Sequence, residues 1–549
     1  MKNILRFILG ASLLTVLFGS CKQDFLDVKS NNQFTLATYY TSYDQCRRAT
    51  APLYNIVWYE FSSQFYFLVG DGRGNNLFTP YTSGESYIRL TETGETPTLI
   101  GAFQSLYVVI TQADYVINNI DRALEYKVTQ GQVNACKAEA RFMRGLAYWY
   151  MGSVWGNVPI VEDPEAIAKN FKVRANNFED VLQYSIRDLE YAAQWLPDTD
   201  VPGRLTKASA NAALARLYIT AACYARGGKF SSRWTITAAS YYTMARDAAK
   251  KVIENTKYKL MDDYEQLFRV QSNNNTESLF SLQFVPGSSV YGTGNRTQDW
   301  LAHSTLVTGG LTAYGGSVFA SGELIKLMQD RVELKRRKAI VFLPGAIYDY
   351  LGKDSPEGRY VAYTKAGNGY SYPNIKKHVV GGSKDTDGAA INGNSGLAMP
   401  MIRLAEVYLL YAEAILGLNS STTDSEALKY VNLVRERAIL DPVQEVTLAN
   451  LWDERRVELA MEGQFWYDMV RRAYWDEAWV LNYMKNQNRS RYYNYLNSSS
   501  PNTFTWRTDT DGKQSNEPTK ERLLLPYPAT ELVMNPLLRE PSVPFDFGQ

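Results

Sequence analysis

Between Ala135 and Val161 the chain reads ACKAEARFMRGLAYWYMGSVWGNVPIV, and this stretch limits the possible folds more than any other. Ala138, Phe142, Leu146 and Trp149 recur at helical spacing, and Met143, Ala147, Tyr150 and Val154 form a second apolar row beside them. Lys137, Arg141 and Arg144 share the opposite face, which predicts an amphipathic helix with those three side chains toward water. An apolar face this wide needs helical neighbours on more than one side. Gly152 and Gly156 weaken the helix and Pro159 favours extended geometry at Val158, so the chain is expected to leave the helix near Trp155. On this reading Phe142 and Leu146 are core and Arg144 is a minor surface residue.

Composition narrows the function. With 58 Lys plus Arg against 57 Asp plus Glu, the formal charge is +1, and the balance gives no electrostatic reason for a nucleic-acid partner. Two histidines, His303 and His378, are too few for a multi-histidine metal site and argue against histidine-dependent triads. No motif calls for a cofactor. The 39 Tyr and 11 Trp give an excess of aromatic rings with a polar handle, a composition suited to wet binding faces as well as to cores.

The first residues carry an export signal. Lys2 and Arg6 precede an almost wholly apolar run from Phe7 to Phe18, the length of a signal-peptide h-region and too short to span a bilayer. Gly19-Ser20-Cys21 then resembles a bacterial lipobox, in which Cys21 is lipidated and becomes the mature first residue, although Phe18 stands where an aliphatic residue is usual. Residues 1–20 are thus read as signal peptide and the mature protein as anchored to a membrane; the alternative is ordinary secretion with an incidental Cys21. Cys46, Cys136 and Cys223 form no zinc pattern, and Cys136 and Cys223 sit in apolar helical contexts that suit buried thiols.

Two regions follow. In 21–270, helices are expected at Tyr43–Phe61, Thr98–Leu124, the central stretch, Asn177–Leu196, from a Thr206 cap onward, and Thr237–Asn255. The pair after Thr206, with its alanine-rich stripe, resembles a tetratricopeptide unit. Val69-Gly-Asp-Gly-Arg-Gly-Asn-Asn76 is too glycine-rich for a helix and reads as a loop. Region 271–549 opens with a Gly-, Ser-, Asn- and Tyr-rich stretch holding one predicted helix, Ser321–Val341. Order returns at Met401, with Thr423 and Glu426 read as a capping box and another helix beginning near Thr447.

These later segments carry a family resemblance. Arg403 to Ala414, Val431-Asn-Leu-Val-Arg-Glu-Arg437, Glu454-Arg-Arg-Val-Glu-Leu-Ala-Met-Glu-Gly463 with Phe465-Trp-Tyr-Asp468, Leu525-Pro-Tyr-Pro, Asn535-Pro, the central Trp-Gly-Asn-Val-Pro-Ile-Val, and Cys21-Lys-Gln-Asp-Phe-Leu-Asp-Val28 occur in order. Together they resemble the SusD/RagB family of Bacteroidetes outer-membrane nutrient-binding lipoproteins. The resemblance implies a mostly α fold, a tetratricopeptide-like helix-pair scaffold with a loop-rich ligand face, and partnership with a SusC-like TonB-dependent outer-membrane transporter. It implies a surface-exposed lipoprotein that binds an oligosaccharide or polysaccharide. A peptide-binding member of the same family is the runner-up, and a secreted glycoside hydrolase the third reading.

Candidate contacts come from residue type and context. Asp71, Arg73, Asn75 and Asn76 offer donors and acceptors on a permissive backbone, with Tyr81 and Tyr87 nearby; the segment lacks the Lys and Ser/Thr of a phosphate loop. Tyr291, Trp300 and Tyr314 are the aromatic candidates of the middle region. Glu454, Glu458 and Glu462, four apart, invite a paired-carboxylate reading, but Arg455 and Arg456 within the same turns favour structural ion pairs.

Overall fold

A computed structural model describes residues 39–548 apart from 80–81, 289, 303–306, 309–317, 344, 363–372, 392, 491–492, 495–504 and 507–516. The export signal, Cys21, Tyr81 and Tyr314 lie outside the described residues. The helices of the first region are α1 (Tyr43–Thr50), α2 (Thr82–Arg89), α3 (Pro97–Asn119), α4 (Gln130–Trp155), α5 (Pro164–Lys169), α6 (Phe178–Trp195), α7 (Lys207–Arg226) and α8 (Ala238–Ile253). After it come α9 (Thr297–Leu301), α10 (Gly322–Asp330), α11 (Lys335–Ile340), α12 (Leu404–Leu416), α13 (Ser425–Arg437), α14 (Leu448–Glu458), α15 (Phe465–Asn486) and α16 (Ala529–Met534).

Helix α4 is the pillar. Thr129 and Gln132 close a capping box at its start, and it ends at Gly156, whose φ of 77° suits glycine. It packs between α3 and α6, and Phe142 and Leu146 are fully buried. Helices α6, α7, α8, α12 and α13 then stack pairwise in sequence order, as expected of a tetratricopeptide-like array. Among the described residues 271–403, strands are short, and the longest ladder pairs Ser278–Leu282 antiparallel with Met399–Arg403. One apolar core runs through residues from both sides of 271.

Several expectations are corrected. The helix expected over Tyr43–Phe61 stops at Thr50 and continues as 3-10 turns, because Pro52 removes a donor and Asn55 takes φ −146°, ψ −100°. Leu68–Arg73 is a π-helix, not an open loop. The helix expected over Ser321–Val341 breaks at Arg331–Leu334, where Val332 has φ 57° and the turn lets the buried Glu333 meet Arg336 at 2.8 Å. Asp424, not Thr423, caps α13, while Glu426 accepts a hydrogen bond from the Tyr411 hydroxyl.

Arg144 is not on a solvated face. It is buried against α6, with Nε 2.7 Å from Asp188 and Nη1 2.6 Å from Asp114. The three glutamates are also internal: Arg336 Nη1 lies 2.6 Å from Glu454 and 3.0 Å from Glu458, Arg403 bonds Glu458 and Glu462, and Lys377 Nζ lies 2.7 Å from Glu462. They are ion-pair partners with no access to a substrate, in keeping with the structural reading. Cys46, Cys136 and Cys223 are free and buried. Among the described residues no helix is long and apolar enough to cross a membrane.

Candidate functional site

The glycine-rich segment 69–76 has the expected hydrogen-bonding groups, but the fold directs them inward. Asp71 is fully buried and accepts from the backbone N–H of Met461 at 2.9 Å and of Gly463 at 2.8 Å, and from Asn76 Nδ2 at 3.1 Å. Burial pushes its carboxyl up to about 6 against those three hydrogen bonds. A Cβ on Gly70 would stand 2.2 Å from the Gly463 carbonyl carbon, so only glycine allows this approach. Arg456 reaches Asn76 Oδ1 at 2.8 Å and the Asn75 carbonyl at 2.9 Å. Arg73 is buried with its guanidinium 4.3 Å over Trp466, paired to Glu92 and donating to the Arg522 carbonyl. Asp71 thus clamps the π-helix to the turn after α14, Asn75 and Asn76 tie its end to Arg456 on α14, and Arg73 ties it to Glu92, Trp466 and the Arg522 carbonyl. Tyr87 is likewise buried, bonded to Thr98.

The middle-region candidates are placed differently. Tyr291 is 71% exposed, the most exposed aromatic ring among the described residues. Its loop is closed by the Val285 N–H donating to the Thr293 carbonyl at 2.8 Å and held down by Asn55, whose Nδ2 donates to the carbonyls of Gln283 and Thr293. Gly292, with φ 78°, leaves room for Tyr59, whose ring a Cβ there would approach to 3.1 Å. Tyr59 and Tyr291 pack edge to face at 4.7 Å, and the Tyr291 hydroxyl donates to Glu60 Oε1 at 2.5 Å. That hydrogen bond, with lesser help from burial, pushes the phenol up to about 12. Exposed Ile56 and Val290 lie beside the pair. Trp300, half-buried on α9, packs 6.2 Å from Phe67.

The arrangement is a rigid aromatic edge flanked by a carboxylate, open to water. It offers a face for C–H groups and acceptors for hydroxyls. Among the described residues, the carboxylate shown bonded at this edge is Glu60. An apolar groove of about 490 Å3 runs along α3, walled by Phe103, Tyr107, Phe171, Met534 and Leu538, with Gln104, Gln112, Glu531 and Asn535 among its polar lining. Tyr59 and Glu60 were missed in the sequence because a continuous helix to Phe61 absorbed them; Pro52 and Asn55 are the signals that would have ended that helix early.

Comparison with known proteins gives a consistent result. Residues 335–542 match the SusD family, and residues 24–219 match a family described as starch-binding, associating with outer membrane. A SusD-like protein of Bacteroides ovatus is 34% identical over 567 residues, covering 99% of this chain and all of that one. The starch-binding protein SusD of Bacteroides thetaiotaomicron is 25% identical, over 70% of this chain and 73% of its own. A solved structure with bound xylogluco-oligosaccharide is 34% identical with a TM-score of 0.80, covering 92% of this chain and 100% of that chain. A laminarin-binding SusD-like protein shares the fold, at 19% identity and a TM-score of 0.64 over 90% of this chain and 97% of its own.

Proposed function

The chain belongs to the SusD family, and on that premise we propose that it is a non-enzymatic surface protein that captures an oligosaccharide or polysaccharide and delivers it to a SusC-like TonB-dependent outer-membrane transporter. The observation that carries this reading is the exposed Tyr59–Tyr291 edge with Glu60 at its rim, in a chain whose other described aromatic rings are mostly buried. Sugars present apolar C–H faces beside hydroxyls, and an aromatic ring next to a hydrogen-bonding group matches both. The xylogluco-oligosaccharide held by a 34% identical relative makes glucan-based ligands the first to test. An open, wet site buries little of its ligand, so affinity is modest, as suits a protein that must hand its ligand on.

The test is calorimetry of the purified protein against neutral and acidic glycans and peptides, with product analysis after long incubation. Binding of a glycan without turnover is the expected result. Binding of peptides alone would make this a peptide-capturing family member, and released sugar would make it a hydrolase. Anchoring is part of the same proposal: Cys21 carries the lipid, so wild-type cells fed a labelled fatty acid yield labelled protein and Cys21→Ala moves it out of the membrane fraction. Unlabelled wild-type protein would contradict it.

A further inference from the structure

Glu60 combines features that a simple supporting side chain would not need. It is exposed to solvent, yet Oε1 is engaged by the Tyr291 hydroxyl, which fixes the carboxylate at the rim of the most exposed described ring. Among the described residues, no donor is assigned to Oε2, and an ionised carboxylate offers about four lone-pair sites. Arg296, the cation that acts on the Tyr291 phenol, is itself paired with Asp299, with Nη2 2.8 Å from its carboxylate. The apolar neighbours Ile56 and Val290 carry no charge to offset that of Glu60.

We infer that Glu60 is a specificity-determining residue of this site, accepting hydroxyls of a neutral saccharide that lies on Tyr291 and turning away glycans that bear uronic acids. This rests on the saccharide-binding reading given above. Charge-assisted hydrogen bonds from sugar hydroxyls to Oε2 reward a neutral glycan, whereas a uronate carboxylate on the same ring meets like charge. At a solvated rim the repulsion is modest and screened by salt.

The experiment compares a xylogluco-oligosaccharide with an oligogalacturonide of matched length, by calorimetry at low and high salt, on wild type and Glu60→Gln. Because Glu60 is exposed, the variant folds, and its unchanged thermal midpoint verifies this. The expected result is wild-type preference for the neutral glycan of roughly tenfold at low salt, narrowing as salt rises, and closing in Glu60→Gln. Equal affinities in wild type, or a preference that survives Glu60→Gln, would overturn the role of Glu60 while leaving saccharide binding intact. Failure of the wild type to bind any glycan would overturn the saccharide reading itself, and this inference with it.

Discussion

A guanidinium removed from water must find its counter-charges inside the fold, and Arg144 finds two, Asp188 and Asp114, at 2.7 and 2.6 Å. Its spacing in α4 placed it opposite the apolar rows, but the partners that turn that face into an interior are 30 and 44 residues away and leave no mark in the local pattern. Removing one member of a buried ion pair costs about 3–5 kcal/mol, against about 2–5 kcal/mol for truncating a buried leucine. Arg144→Ala is therefore expected to lower the melting temperature at least as much as Leu146→Ala; a clearly smaller loss would return Arg144 to the surface. The glutamates make a pH prediction. Burial would raise the Glu458 carboxyl, but Arg437, Arg403 and Arg336 outweigh it and hold the group at about 2, below its ordinary 4.5. A depressed folded value contributes stability that is complete above pH 4.5 and is lost as pH falls toward 2. Denaturant titrations across that window should show the loss in wild type and a shallower acid limb in Glu458→Gln, whose stability is lower by about 3–5 kcal/mol above pH 4.5, the gap narrowing as pH falls toward 2.

Helices α4, α6, α7 and α8 could be read from the chain because their apolar periodicity and caps agree: Thr206, for example, both precedes an alanine stripe and accepts from the Ser209 N–H. Thr206→Ala is expected to cost about 1 kcal/mol, measurable as a shift in denaturant midpoint, and no shift would remove it as a cap. The segment 69–76 was misread for a physical reason. Glycine permits loops, ligand approach and close backbone packing alike, and only the turn at Met461–Gly463, nearly 400 residues on, selects the last. Gly70→Ala must push Gly463 away or unwind the π-helix, so it is expected to destabilise by about 3 kcal/mol or more. Near-wild-type stability would show that this contact is loose.

In the whole molecule the division of labour is clear: a helical array supplies rigidity, a buried seam of ion pairs joins it to the irregular 271–403 region, and the Tyr59–Tyr291 edge is held rigid by Asn55 and Thr293. Of the described sequence candidates, Tyr291 lies at this edge and Trp300 packs half-buried on Phe67, while the 69–76 group is buried in the interior. The distinction was out of reach in the sequence because exposure depends on which distant segment covers a residue, and residue type does not record that. It also separates two substitutions that residue type alone would treat as equivalent. Asn75, with φ 62° and its carbonyl bound by Arg456, supports the fold, whereas Tyr291 contributes a ring to solvent. The direct test is calorimetric titration of a xylogluco-oligosaccharide into wild type, Tyr291→Ala and Asn75→Ala, each with its thermal midpoint. The account predicts that Tyr291→Ala keeps its midpoint and loses roughly tenfold in affinity, while Asn75→Ala melts earlier and, once folded, binds as wild type. Undiminished binding by Tyr291→Ala, with affinity lost instead in a fully stable Asn75→Ala, would contradict it.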